Sequence, residues 1–248
     1  MLGIIGGSSF AQLANLQVRQ RQVVRTPYGD PSGALTFGTI HDREVVFIAR
    51  HGYGHTIPPH RVNYRANIWA LHHAKARYVV SLAAVGGIRA DLAPGALAVP
   101  DQLIDYTHDR EATFFSGADR SVVHIDFTHP YCEELRQRLL RAAHDAGEPV
   151  FAGGTYAATQ GPRLETVAEI NRLERDGADM VGMTGMPEAA LARELGLCYA
   201  ALAIVVNHAA GRASSAPGIQ LTEINDLSRQ LLARVHRILE FLVKLDDR

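Results

Sequence analysis

Short apolar runs, many β-branched and bounded by glycine, alternate along the chain with stretches whose apolar positions recur at three- and four-residue steps. The runs predict strands at Leu2–Ile5, Val45–Ala49, Val79–Ala84, Ala96–Pro100, Gly154–Thr159, Met180–Met183 and Tyr199–Val206. Several are apolar at successive rather than alternate positions, as strands are when helices cover both faces of a mainly parallel sheet. Leu35–Ile40 and Val45–Ile48, separated by His41-Asp42-Arg43-Glu44, predict an antiparallel hairpin, so the sheet is expected to be mixed. Helical spacing covers Val62–Ala76, Tyr131–Ala146, Glu165–Asp176, Pro187–Leu195 and Thr222–Lys244. In the last of these, Ile224, Leu227, Leu231, Val235, Ile238 and Leu242 form one apolar stripe behind Thr222, the expected cap. The stripe is short for a coiled coil and is expected to pack on the sheet. No Pro/Ser-rich linker, repeat or low-complexity run divides the chain. The expectation is a single α/β domain over residues 1–248, with a mixed, mainly parallel β-sheet flanked by helices.

Composition adds mostly exclusions. Hydrophobic residues make up 47% and charged residues 21%, enough apolar material for a sizeable core. The net charge is -1 without any block of like charge, so bulk electrostatics recruits neither nucleic acid nor an anionic membrane. Cys132 and Cys198 are the only cysteines and lie outside any CxxC spacing, so neither a disulfide scaffold nor a zinc cluster is expected and a reducing compartment fits. With no basic segment ahead of Leu2-Gly3-Ile4-Ile5 and no apolar stretch long enough to cross a bilayer, a cytoplasmic location is expected.

Five stretches offer chemistry, each where a predicted strand ends. Gly3-Ile4-Ile5-Gly6-Gly7-Ser8-Ser9 leaves a strand through a glycine turn with two hydroxyls, and could turn donors toward an anion or be a plain tight turn. It is neither a Walker loop nor a dinucleotide fingerprint. In Ala49-Arg50-His51-Gly52, Arg50 could grip a phosphate through two parallel hydrogen bonds and His51 could add a third donor. Read instead as metal ligands, His51, His55 and His60 match no zinc spacing, and no metal is expected. Glu165, after Thr159-Gln160-Gly161-Pro162, begins a predicted helix, where an acid also complements the helix dipole. Thr184, in Gly182-Met183-Thr184-Gly185-Met186-Pro187-Glu188, stands at a helix start that leaves nearby amides for an anion. Asn207 closes a nearly all-apolar strand, where a buried amide needs a partner or serves as a turn residue.

Together with Thr26-Pro27-Tyr28-Gly29, Val62-Asn63-Tyr64-Arg65-Ala66-Asn67-Ile68-Trp69-Ala70-Leu71, Gly161-Pro162-Arg163 and the run from Gly177 to Ala189, these strings resemble the trimeric purine nucleoside phosphorylase and methylthioadenosine phosphorylase family over nearly the whole chain. The resemblance implies that family's fold, a homotrimer, no metal or organic cofactor, and inorganic phosphate as co-substrate. It implies phosphate contacts at Ser8, Arg50, His51, Ala84 and Thr184, a sugar contact at Met183, and base-reading positions at Asn207 and Glu165. His124 matches a residue that the family can lend to a neighbouring subunit's sugar pocket, and Ile219 and Leu221 fall near the 5′ group. Ala83 departs from the threonine that methylthioadenosine phosphorylases tend to carry there, which leaves one phosphate hydroxyl contact unaccounted for.

Residue chemistry then separates substrates within that family. A 6-oxopurine protonated at N7 presents one donor and one acceptor, which an amide matches; a 6-aminopurine presents two donors, which suit a carboxylate. Asn207 therefore points to a 6-oxopurine, and Glu165 agrees, because hypoxanthine and guanine offer an N1–H. No histidine lies between His208 and His236 to meet a 5′ hydroxyl, so an apolar 5′-methylthio group is favoured over core packing of Ile219 and Leu221. The expected reaction is phosphorolysis of S-methyl-5′-thioinosine. A methylthioadenosine phosphorylase, a general 6-oxopurine nucleoside phosphorylase and a nucleoside-binding protein without chemistry stand as the alternatives.

Overall fold

The computed structural model describes residues 1–8, 10, 13–117 and 121–245; Ser9, the second hydroxyl of the first glycine turn, lies outside them. In chain order the elements are β1 (Leu2–Gly6), β2 (Gln17–Gln22), β3 (Leu35–Ile40), β4 (Arg43–Ala49), α1 (Tyr64–His73), β5 (Tyr78–Gly87), β6 (Leu97–Val99), β7 (Gln102–Asp105), α2 (Glu133–Asp145), β8 (Phe151–Ala152), β9 (Thr155–Ala158), α3 (Val167–Arg175), β10 (Met180–Gly182), α4 (Gly185–Glu194), β11 (Cys198–His208) and α5 (Leu221–Lys244).

One mixed sheet joins the strands described. Strand β5 is its hub, pairing in parallel with β1 on one side and β11 on the other. After Ser81 the β1 ladder stops, and the Gly86-Gly87 end of β5 pairs antiparallel with β10, which continues to β9 and β7. Strands β4, β3 and β2 extend the other edge. The unbroken apolar runs have the reason anticipated from the sequence. In β11, Tyr199, Ala201, Ala203 and Val205 enter the core shared with α1 and α4, while Ala200, Leu202, Ile204 and Val206 face the core shared with α2 and α5. The predicted α5 stripe lies there, with Leu231, Val235, Ile238 and Leu242 buried.

Several local expectations are corrected. The β3–β4 turn is only His41-Asp42, both at positive φ (47° and 61°), as a two-residue hairpin turn of the type whose twist suits the flanking strands. Helix α3 starts at Val167, not Glu165: the Thr166 hydroxyl accepts from the Glu169 amide at 3.1 Å and the Glu169 carboxylate accepts from the Thr166 amide at 2.7 Å. This reciprocal cap assigns the helix-start acid to Glu169 and leaves Glu165 outside the helix. Helix α5 begins behind Gln220, with no side-chain cap, so Thr222 lies in its first turn. Strand β2 escaped the pattern because all six of its residues, Gln17-Val18-Arg19-Gln20-Arg21-Gln22, are exposed on a charged sheet edge.

Cys132 and Cys198 form a disulfide across 66 residues of sequence, where no disulfide scaffold was expected. Linear spacing did not register that the start of α2 lies beside the start of β11, where the Cys132 amide donates to the Tyr199 carbonyl at 2.8 Å. The bridge also removes the cysteine-based argument for a reducing compartment. No helix among the described residues is long and apolar enough to cross a membrane.

Candidate active site

The carboxyl ends of β1, β4, β10 and β11 open onto a cavity of ≈ 630 Å³. Open α/β sheets bind ligands at such strand ends. Ser8, Arg50, His51, Ala84, Glu165, Met183, Thr184, Asn207, Ile219 and Leu221 all line it. His124 does not: it is exposed in the connection between β7 and α2. Ala83 turns into the core, whereas the adjacent Ala84 faces the cavity.

Arg50 is fully buried, and its two-pronged face is occupied by the protein itself. Its Nε donates to Glu188 Oε2 at 2.7 Å, and one terminal nitrogen donates to Glu188 Oε1 at 2.9 Å and to the Ser81 hydroxyl at 2.6 Å. The other terminal nitrogen donates to the Leu82 carbonyl at 3.1 Å. Those bonds use four of the five N–H groups of a guanidinium, so the expected bidentate grip on phosphate reduces to one N–H at the cavity wall. Burial alone would lower the Arg50 pKa, but the Glu188 charge and hydrogen bonds reverse this and hold the cation firmly protonated. Gly7 is required for close approach: a Cβ there would lie 2.5 Å from the Leu82 carbonyl oxygen and 2.9 Å from the guanidinium.

His51 is likewise not the donor expected. Its Nδ1 lies 2.8 Å from the Ile57 carbonyl, an acceptor, so Nδ1 carries the proton. Burial first, and then the Arg50 charge, push its pKa from 6.5 down to about 4. Neutral His51 therefore presents Nε2 as an acceptor, suited to the P–OH of hydrogen phosphate. The same shift predicts acid sensitivity. The unfolded histidine takes up a proton near pH 6.5 and the folded one only near 4, so the stability it contributes is complete above 6.5 and lost as pH falls toward 4. Between about pH 7 and about pH 5 the loss assigned to His51 is on the order of 2 kcal/mol. Urea midpoints of the parent and His51→Gln at both pH values test this; parallel changes in the two proteins would refute the assignment.

Thr184 precedes α4, is buried, and makes no side-chain cap bond. Asn207 follows an irregularity in the β11–β5 register between Val205 and Asn207, the kind of bulge that re-aims a side chain. Its amide nitrogen donates to the His208 carbonyl at 2.6 Å, which leaves the amide oxygen and a second N–H for the cavity. The Thr159 hydroxyl donates to Glu165 at 2.7 Å and holds one carboxylate oxygen. Glu165 also borders a neighbouring cavity of ≈ 470 Å³. Ile219, Leu221 and Leu164 supply apolar lining, and Leu221 is 63% exposed.

Sequence reasoning missed Glu188 and its partners Ser81 and Tyr199, whose hydroxyls donate to Glu188 Oε1 at 2.7 and 2.8 Å. An acid set within the apolar run Met186–Leu191 was the available signal. His55, weighed only as a metal ligand, lines the cavity with its ring 4.9 Å from that of His51. Among the described residues, the cluster with metal-ligand proximity is Cys132, Glu134 and Cys198, whose sulfurs are joined to each other.

Residues 1–244 match the family model described as the phosphorylase superfamily. A probable S-methyl-5′-thioinosine phosphorylase of Pseudomonas syringae pv. tomato is 53% identical over 232 residues, covering 94% of each chain. A 6-oxopurine nucleoside phosphorylase of Pyrococcus furiosus is 46% identical over 215 residues, covering 85% of this chain and 80% of that one. Among solved structures, methylthioadenosine phosphorylase from Schistosoma mansoni in complex with adenine superposes with a TM-score of 0.94 at 34% identity, covering 99% of this chain and 91% of the other.

Proposed function

The chain belongs to the phosphorylase superfamily, and we propose that it cleaves S-methyl-5′-thioinosine with inorganic phosphate to give hypoxanthine and 5-methylthioribose 1-phosphate. The observation that carries this reading is the amide of Asn207, tethered by its nitrogen to His208 and lining the same cavity as Arg50 and His51. In phosphorolysis the anomeric C–N bond lengthens, positive charge grows on the sugar, and negative charge grows on the purine. The protein's task is to position phosphate and stabilise the departing base.

Phosphate is held by the remaining Arg50 N–H and the hydroxyls of Ser8 and Thr184, with its own hydroxyl donating to His51 Nε2. Hypoxanthine departs protonated at N7: the Asn207 oxygen accepts the N7–H, its second amide hydrogen goes to O6, and Glu165 accepts the N1–H. Asn207 keeps one N–H on the His208 carbonyl and Glu165 keeps one oxygen on the Thr159 hydroxyl, which orients the remaining atoms of both groups for the base. Ile219 and Leu221 offer apolar surface to a 5′-methylthio group. Phosphorolysis exchanges a C–N bond for a C–O bond with no change of oxidation state, so the proposed reaction calls for no redox cofactor, and inorganic phosphate is the co-substrate. His124, exposed and away from its own cavity, suits contribution to a neighbour's sugar pocket in a homotrimer. The P. syringae relative named for methylthioinosine and the P. furiosus relative named for 6-oxopurine nucleosides agree with an oxopurine reader.

Base release from methylthioinosine, methylthioadenosine, inosine and adenosine, with phosphate present or withheld, tests the proposal. Methylthioinosine is expected to be fastest and strictly phosphate-dependent. Preference for methylthioadenosine would overturn the oxopurine reading, preference for inosine the methylthio reading, and binding without base release the enzymatic one.

A further inference from the structure

The geometry points to Arg110 as a positioning residue for nucleoside binding, acting on both walls that carry the base and sugar contacts without lining the cavity itself. This rests on the nucleoside site proposed above. Strands β9 and β10 run side by side in parallel through Ala158 and Gly182, and one more ladder bond follows, from the Thr159 amide to the Gly182 carbonyl at 2.8 Å. There the chains part. The β9 side continues through Gln160 to Glu165, and the β10 side through Met183 and Thr184 into α4. Backbone carbonyls beyond such a fork have lost their ladder partners and need other donors.

Arg110 supplies them. One terminal nitrogen donates to the Met183 and Met186 carbonyls at 2.8 and 2.7 Å and to the Tyr64 hydroxyl at 3.2 Å. The other donates to the Thr159 and Gln160 carbonyls at 3.2 and 2.7 Å, and Nε donates to the Gln160 side chain at 3.1 Å. A single planar cation thus ties four carbonyls on two diverging segments, and its central carbon lies over the Tyr64 ring, 5.4 Å from the ring centre. One segment ends in Glu165, already anchored by Thr159; the other holds Met183 beneath the sugar position. Their separation is set by the width of the guanidinium. Lysine, with three donors on one point charge, cannot span both sides. Of the phosphate-side residues, Ser8, Arg50, His51 and Ala84 come from β1, β4 and β5 and their ends and none of them bonds to Arg110, whereas Thr184 lies between the Met183 and Met186 carbonyls that Arg110 holds.

That separation defines a kinetic signature that a general structural prop would lack. In Arg110→Ala the KM for nucleoside is expected to rise about 10-fold or more, with hypoxanthine affinity falling by a similar factor, while the KM for phosphate, which has only Thr184 among its contacts on the tied segments, rises at least about 3-fold less than that for nucleoside. Arg110→Lys keeps charge and stem and is expected to recover only part of the loss. Guanidinium chloride well below denaturing concentration should restore Arg110→Ala more than sodium chloride of equal ionic strength. Parental nucleoside KM in folded Arg110→Ala or Arg110→Lys overturns the assignment, as does a rise in both KM values by the same factor. Should Arg110→Ala fail to fold, Arg110→Lys decides by the same split. A parent that releases no base fails the phosphorolysis reading, and hypoxanthine titration of parent and variant still decides the role of Arg110. A parent that works, with variants that match it, fails Arg110 alone.

Discussion

Asn207→Asp is expected to turn the protein toward 6-aminopurines, raising the ratio of kcat/KM for methylthioadenosine to that for methylthioinosine by about 100-fold or more. The substitution exchanges an NH2 group with two N–H donors for a second acceptor oxygen at nearly constant volume. For a 6-oxopurine leaving with N7 protonated, the aspartate still takes the N7–H but sets an oxygen against O6, an unfavourable contact in a partly buried site. For a 6-aminopurine, N7–H and the exocyclic amino group both find acceptors. The aspartate also loses the 2.6 Å bond that tethers Asn207 to the His208 carbonyl, so both substrates should slow in absolute terms. The ratio is therefore the informative quantity. A ratio within about 3-fold of the parent's would mean that residue 207 does not read the 6-position, and the oxopurine argument would fall with it.

Glu188→Gln is expected to be the most destabilising of the changes considered. The parent pair is dry: Arg50 and Glu188 have side-chain exposures of 1% and 0%, and Ser81 and Tyr199 complete the carboxylate's shell. Removing the negative charge leaves a buried guanidinium with no counter-charge, a loss of about 3–5 kcal/mol. Chemical denaturation measures it directly. A second observation separates charge from packing. In the site proposed above phosphate sits beside Arg50 and supplies the missing negative charge, so saturating phosphate should stabilise Glu188→Gln more than it stabilises the parent. Loss of less than about 1 kcal/mol would show that the pair is not needed to hold Arg50, and equal stabilisation by phosphate would show that phosphate does not sense that charge.

The two predictions differ in how much of each could be read from sequence. Asn207 was legible because it ends an apolar strand, where a polar side chain needs a reason. Glu165 was legible as a candidate base reader, and the structure removes the competing role at a helix start: it belongs to the loop before α3, and Glu169 serves the helix. Arg50 and His51 were placed correctly at a strand end, yet their bonding was misjudged. Glu188, distant in sequence, takes the bidentate face of Arg50, and Ile57 orients His51 so that an acceptor is left over. Glu188 stood in a candidate stretch without a role and Arg110 in none, since each acts on segments remote in the chain.

Hydrophobic periodicity alone specified the alternation of buried strands and amphipathic helices, because burying two faces of β5 and β11 demands apolar residues at every position and covering them demands striped helices. The polar exceptions at strand ends marked where chemistry would lie. Protonation, donor count and side-chain direction at those ends were decided only in three dimensions. They depend on which groups fill each hydrogen-bonding position first, as Glu188 does for Arg50 and Ile57 for His51. The Cys132–Cys198 bridge and the exposed edge strand β2 belong with them, because pairing across 66 residues and membership of a sheet edge leave no periodic trace in the chain.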